Sequence, residues 1–273
     1  MTISSPSLTL VDTHAHIDGP EFDTDRGAML ERASAAGVRQ IITFGDAMDS
    51  SARSVALAKS ESAVFCGVGV HPENAVPLTA EDDERLARWA KEAKVVAIGE
   101  IGLDYFVPGL DPARQQAVFE AQVRLAAEFG LPVILHTRRS VDAVTKQLRR
   151  FRPPSGIAHA FNGSPQQAQH LIGLGMAIGF GGAMTFDRAR NIRRLAASLP
   201  AESLVLETDA PDISPAWVHP GRNQPAELAR IAQVLAELRG LSLQAVEELT
   251  TLNALRVLPA LRLLGAGAPA NIG

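Results

Sequence analysis

Short apolar, β-branched runs alternate along the chain with longer amphipathic stretches. The runs are LTLVDTH, QIITFG, AVFCGVGVH, VVAIGEIG, LPVILHT, GIAHA, MAIGFGG and SLVLETD. They are apolar almost continuously, as strands buried on both faces of a parallel sheet are. Between them, DTDRGAMLERASAAG, ARQQAVFEAQVRLAAEFG, SPQQAQHLIGLG and RARNIRRLAASLP repeat their apolar positions at helical spacing, and several close on Gly or Pro as helix C-termini do. Eight strand–helix units over about 250 residues predict an α/β fold of the (β/α)₈ TIM-barrel type. An open doubly wound sheet would give the same alternation, but no GxGxxG or GxxxxGK[ST] follows the first strand. PAELARIAQVLAELRG and SLQAVEELTTLNALRVL predict two further helices that complete the outer layer. One domain over residues 1–273 is expected, with a frayed tail, GAGAPANIG, from about residue 265.

Composition narrows the setting. At 46% hydrophobic and 21% charged residues the chain is ordinary for a globular protein, and no apolar run is long enough to span a bilayer. The start, MTISSPSLTL, has neither the basic segment nor the apolar stretch of a secretory signal, so a cytoplasmic location is expected. The single cysteine, Cys66, lies within VFCGVGV; it has no partner for a disulfide within the chain and is expected in the core. A formal net charge of -4 argues against an extended basic surface that grips duplex DNA through many phosphates, and leaves room for a local phosphate site. No membrane partner is expected, and a monomer is.

The polar residues at the strand ends change the picture most. In LVDTHAHID an apolar run ends in Asp12, His14 and His16, and side chains two apart on a strand share a side. The fourth strand ends in Glu100 and Asp104, the fifth in His136, the sixth in His159 and the eighth in Glu207 and Asp209. In a barrel these ends meet at one mouth. Any one of them alone is better explained as a cap or a loop contact. Four imidazoles and two carboxylates converging without a cation would leave costly unpaired polar groups, which divalent metal satisfies. His14, His16, Glu100, His136, His159 and Asp209 are too many ligands for a single catalytic zinc, which usually keeps three and a water. Two metals sharing Glu100 as a bridge fit better, with Asp209 binding one metal and taking a proton from the attacking water.

The set VDTHAHID, GVGVHPE, IGEIGLDY, ILHTR, AHAFNGS, LETDAP and GRNQP, in order from residue 12 to about 225, resembles the TatD family of metal-dependent hydrolases and deoxyribonucleases within the amidohydrolase-like barrel superfamily. GEIGLDY and ETDAP are its specific parts; HxH alone is not. The resemblance carries the six ligands over without a gap. It implies two divalent ions, Mg²⁺ with Zn²⁺ or Mn²⁺ as alternatives, and cleavage of phosphodiester bonds in DNA or a small phosphodiester, of the 3'-5' exonuclease kind at DNA ends. It also makes His71, in VGVHPE, a substrate contact.

Arg138, two residues after His136, would share its side and could fork onto a phosphate, whereas Arg139 would point away into solvent. Arg222 and Asn223, in HPGRNQP, lie where such barrels often bind phosphate, and loop anchoring is an equal alternative. His170 and His219 are assigned to neither metal. The cations Arg149, Arg150 and Arg152 end a helix, where the dipole favours them. Two rivals stand beside the phosphodiesterase: an amidohydrolase acting on a C–N bond of a small metabolite, and a metal-stabilised scaffold without activity. Many relatives in the first class bridge their metals with a carboxylated Lys at the end of the fourth strand; here Lys94 lies at that strand's start and Glu100 stands further along.

Overall fold

The computed structural model describes residues 9–261; the tail expected from residue 265 lies outside them. Eight strands run β1 Leu10–Ala15, β2 Val38–Phe44, β3 Val64–Val68, β4 Val95–Asp104, β5 Val133–Arg138, β6 Gly156–Ala158, β7 Met176–Phe180 and β8 Leu204–Leu206. Each pairs in parallel with the next, in sequence order. The helices are α1 Arg26–Ala35, α2 Met48–Ser60, α3 Ala80–Trp89, α4 Pro112–Phe129, α5 Val141–Phe151, α6 Pro165–Ile172, α7 Arg190–Ser198, α8 Leu228–Arg239 and α9 Leu243–Val257. Local signals set their ends: Asp111 accepts the N–H groups of Ala113 and Arg114 ahead of α4, and that helix stops at Gly130 with φ 65°.

Between β8 and β1 the barrel closes on side chains and loop backbone. Asp12 accepts the Thr208 N–H (2.9 Å) and hydroxyl (2.6 Å), and the Thr13 hydroxyl donates to the Leu206 carbonyl at 3.0 Å. Past the end of β8, the Asp209 N–H donates to His14 O at 2.8 Å and the His16 N–H to Ala210 O at 2.7 Å. The same few residues therefore close the barrel and fix the polar groups at its mouth.

Alternate strand residues divide the core in two. Leu10, Ile41, Val64, Val95, Val133, Met176 and Leu204 pack against the helices, with Cys66 among them as expected. Val11, Ile42, Phe65, Val96, Ile134, Ile157, Ala177 and Val205 fill the barrel interior, and Ala254, Val257, Leu258 and Leu261 join this inner set. That corrects the expectation for the last helix. The end of α9 lies across the floor of the barrel, where the Ser155 hydroxyl donates to Val257 O at 2.7 Å and Gln40 Nε2 to Leu261 O at 3.3 Å. Apolar spacing marks a buried face; it does not say which end of a barrel that face covers.

Candidate metal centre

At the C-terminal ends of the strands the structure brings together His14, His16, Glu100, His136, His159 and Asp209; His14 is fully buried, and the other five line a cavity of about 1390 Å³ together with His71. Glu100 stands at the middle. Its Oε2 lies 3.2 Å from His14 Nε2 and 3.5 Å from His16 Nε2; its Oε1 lies 3.0 Å from His136 Nδ1 and 2.9 Å from His159 Nε2. Asp209 Oδ1 completes the first side, at 3.4 Å from His14 Nε2 and 3.5 Å from His16 Nε2. Among the described residues, three groups have donor atoms all within 4.8 Å of one another: His14, Glu100 and His159; His14, His16 and Asp209; and His71, Glu100 and His136.

The hydrogen bonds behind these rings fix which nitrogen faces inward. His16 Nδ1 lies 2.8 Å from the Phe44 carbonyl, an acceptor only, so Nδ1 carries the proton and Nε2 presents a lone pair. That lone pair faces His14 Nε2 at 3.1 Å. Two imidazole nitrogens and two carboxylates so close need a cation or a shared proton between them, and the donor set therefore fits a divalent metal. Asp104 Oδ2 takes His136 Nε2 at 3.0 Å, which turns Nδ1 towards Glu100. Glu207 Oε1 lies 3.6 Å from His159 Nδ1 and accepts the Ala160 N–H at 2.6 Å. Gly179 on β7 makes room for the Glu207 carboxylate, which a Cβ there would meet. Carboxylates behind ligating imidazoles hold their tautomer and orientation.

Burial and charge oppose each other throughout. Burial pushes the Glu100 carboxyl up, but His159, His71 and His14 outweigh it and hold it well below the usual carboxylate range. Asp209 follows the same pattern, held down by its bond to His16 and by the charges of His159 and His14. Burial works against a charged His16, yet Asp209 and Glu100 raise it to about 9; Glu100 and Glu207 likewise lift His159. These raised values favour shared protons among the same groups that a metal would join. His71 differs: burial lowers it to about 4, and its Nδ1 accepts the Glu73 N–H at 3.2 Å, leaving an N–H on Nε2 that faces Glu100 Oε1 at 3.6 Å.

Of the expected substrate contacts, His71 and Arg138 line the cavity and Arg222 does not. The Arg222 fork closes on Asp25, with Nη1 2.9 Å from Oδ1 and Nη2 2.7 Å from Oδ2, and its guanidinium lies 4.5 Å from the centre of the Phe22 ring. Asn223 anchors the same loop, donating to Thr208 O at 2.7 Å and Asp212 O at 2.9 Å. Arg138 is half exposed, 3.9 Å from the Phe106 ring centre. Arg139 is exposed as expected but does not point away: it too lines the cavity, 4.6 Å from Phe106, because β5 ends at Arg138 and the backbone turns left-handed, with φ 57°. His170 is exposed on α6 and His219 lies in a neighbouring cavity. Lys94 donates to the carbonyls of Ser62 (2.7 Å) and Val64 (3.0 Å) at the floor, away from the mouth. Sequence reasoning did not assign Asp12, Asp104 and Glu207, whose position at strand ends was their signal, nor Phe106, Arg53, Asn162, Asn191 and Arg194, which line the cavity from loops and helices.

Comparison with known proteins places this arrangement among others. The profile of a family described as "TatD related DNase" matches residues 11–259. The chain is 43% identical over 235 residues to the "Uncharacterized metal-dependent hydrolase YjjV" of Escherichia coli (strain K12), covering 84% of this chain and 90% of that protein. It is 36% identical over 258 residues to the "3'-5' ssDNA/RNA exonuclease TatD" of Cronobacter sakazakii (strain ATCC BAA-894), covering 91% and 97%. The crystal structure of YjjV, a TatD homologue from Escherichia coli K12, superposes with a TM-score of 0.89 at 38% identity, over 93% of this chain and 99% of that one.

Proposed function

The chain belongs to the TatD-related DNase family, and from that premise we propose that it is a metal-dependent phosphodiesterase removing nucleotides from the 3' ends of single-stranded nucleic acid. One observation carries this reading: the two oxygens of Glu100 are divided between two sets of lone-pair donors. Glu100 Oε2, His14, His16 and Asp209 would hold one divalent ion, and Glu100 Oε1, His136 and His159 a second. Mg²⁺ is the first choice, with Mn²⁺ and Zn²⁺ as alternatives. Bound there, the ions supply a water acidic enough to attack at neutral pH and positive charge for the phosphoryl and leaving oxygens.

The chain's own groups do the rest. Asp209 takes the proton of the attacking water, since its carboxylate lies beside His14 and His16 and also lines the open cavity. Arg138, whose fork is half exposed and held against Phe106, orients the phosphate oxygens. His71 offers its Nε2–H to an oxygen near Glu100. Arg222 is left out, because Asp25 already fills its fork.

The test is metal-stripped protein given single-stranded DNA, duplex DNA, a small phosphodiester and a dihydropyrimidine amide, with Mg²⁺, Mn²⁺ or Zn²⁺ restored separately. Mononucleotides should leave the 3' end of the single strand only when metal is restored. Turnover of the amide with no phosphodiester cleaved would replace this reading with the amidohydrolase.

A further inference from the structure

A second cavity of about 680 Å³ opens beside the first, walled by Phe186, Arg188, Ile213 and His219. Pro211, Asp212 and Ile213 line both cavities, so the second adjoins the metal centre through the loop that follows Asp209. Ile213 forms the ridge between them. It is 39% exposed and its backbone is left-handed, with φ 39°, a combination unfavourable for a β-branched apolar residue. The surroundings hold it there. Asn223 Nδ2 donates to the carbonyl of Asp212 at 2.9 Å, and Gly182 packs so closely on the Ile213 carbonyl that a Cβ would collide with it.

The walls suit a flat, uncharged ring. The His219 ring meets Phe186 edge-on, 5.6 Å between centroids, and the Arg188 guanidinium lies 5.2 Å from the Phe186 ring centre. Aromatic and guanidinium planes are the surfaces on which bases stack. Charge points the same way. Two guanidinium groups line this cavity, Arg222 closed on Asp25 and Arg188 lying over Phe186, beside Glu21 and Asp212, which line both cavities. The first cavity carries more of them, those of Arg53, Arg138, Arg139 and Arg194, and so offers a run of phosphates more positive charge. A strand laid across the metal centre would keep its run of phosphates on that side. The 3'-terminal nucleoside, with no phosphate beyond it, would fall on the other.

We propose that the side cavity is the subsite for the 3'-terminal nucleobase of the substrate, with Ile213 as the wedge that parts it from the base before it. This rests on the phosphodiesterase reading above. The ligand-side test compares, in the metal-loaded protein, single strands that differ only in their 3'-terminal nucleotide: one with a base, one abasic, and one with a base and a 3'-phosphate. Loss of the stacked base should lower kcat/KM about tenfold or more. The added phosphate, facing Glu21 and Asp212, should lower it as well. Phe186→Ala should bring the base-to-abasic ratio towards one, and Ile213→Ala provides the same comparison if the first variant fails to fold. Equal kcat/KM for the terminal base and the abasic end overturns the subsite. If bis(4-nitrophenyl) phosphate is still cleaved in that case, the phosphodiesterase reading survives its loss. If no phosphodiester is cleaved with any metal, both fall.

Discussion

Asp209 and Glu207 lie two residues apart and serve the centre differently. Asp209 points its carboxylate between His14 and His16 from a left-handed backbone, φ 59°, whereas Glu207 stands behind His159. Asp209→Asn keeps the shape and removes the charge and the basicity. A general base contributes about 10²–10⁴-fold, so hydrolysis should fall by at least that factor while circular dichroism stays that of the folded barrel. Turnover close to the parent's in a metal-loaded variant would take Asp209 out of the chemistry. Glu207→Gln should act through the imidazole it orients. Metal affinity should drop about 10–100-fold, read by titration calorimetry; unchanged affinity would reduce Glu207 to the acceptor of the Ala160 N–H.

At the scale of elements, the seam between β8 and β1 bears the most. Asp12 is fully buried, and burial pushes its carboxyl up to about 8 although Thr208 donates two hydrogen bonds to it. Asp12→Ala would leave the Thr208 N–H and hydroxyl buried without that acceptor, a penalty of about 1–3 kcal/mol in a urea titration. The backbone bonds that follow, from the Asp209 N–H to His14 O and from the His16 N–H to Ala210 O, carry the metal-facing residues. Metal content should therefore fall along with stability. A variant that loses stability and still binds metal like the parent would show that the ladder on the other side of β1 positions the histidines unaided.

For the whole molecule, the opposed shifts give the metal-free protein a stability maximum near the ordinary imidazole value of about 6.5. Glu100 and Asp209 are held below their unfolded values, so the stability they contribute is present above the carboxylate range and is lost as pH falls. His71, lowered to about 4, adds to that acid limb because the unfolded chain takes up its proton first. His16, raised to about 9, and His159, also raised, contribute fully below the unfolded imidazole value and lose that contribution as pH rises. Asp12, at about 8, favours the fold only while protonated and loses stability in the same direction. Unfolding midpoints of the metal-free protein should thus decline as pH rises from about 6.5, the imidazole reference, to about 9, the raised value of His16. Restored metal should flatten that limb, because it replaces the protons the histidines would lose. Equal slopes with and without metal would mean that the six residues do not bind it.

The sequence by itself determined the barrel and the residue types at its mouth. Strand order follows from apolar runs that must be buried on both faces, and His14, His16, Glu100, His136, His159 and Asp209 stand at the ends of runs that any such barrel turns to one side. What stayed illegible depends on partners distant in the chain or on a local break in periodicity. Arg222 looked available for phosphate until Asp25, 197 residues away, filled its fork. Arg139 was expected to point away from the site by strand alternation, which ends where its backbone turns left-handed. The last helix has a buried face in either place, and only packing against Val11, Ile157 and Val205 put that face under the barrel instead of around it. The side cavity behind Ile213 was not legible, because its walls come from the ends of LETDAP and HPGRNQP and from the separate stretch holding Phe186 and Arg188, which only the closed barrel sets next to one another.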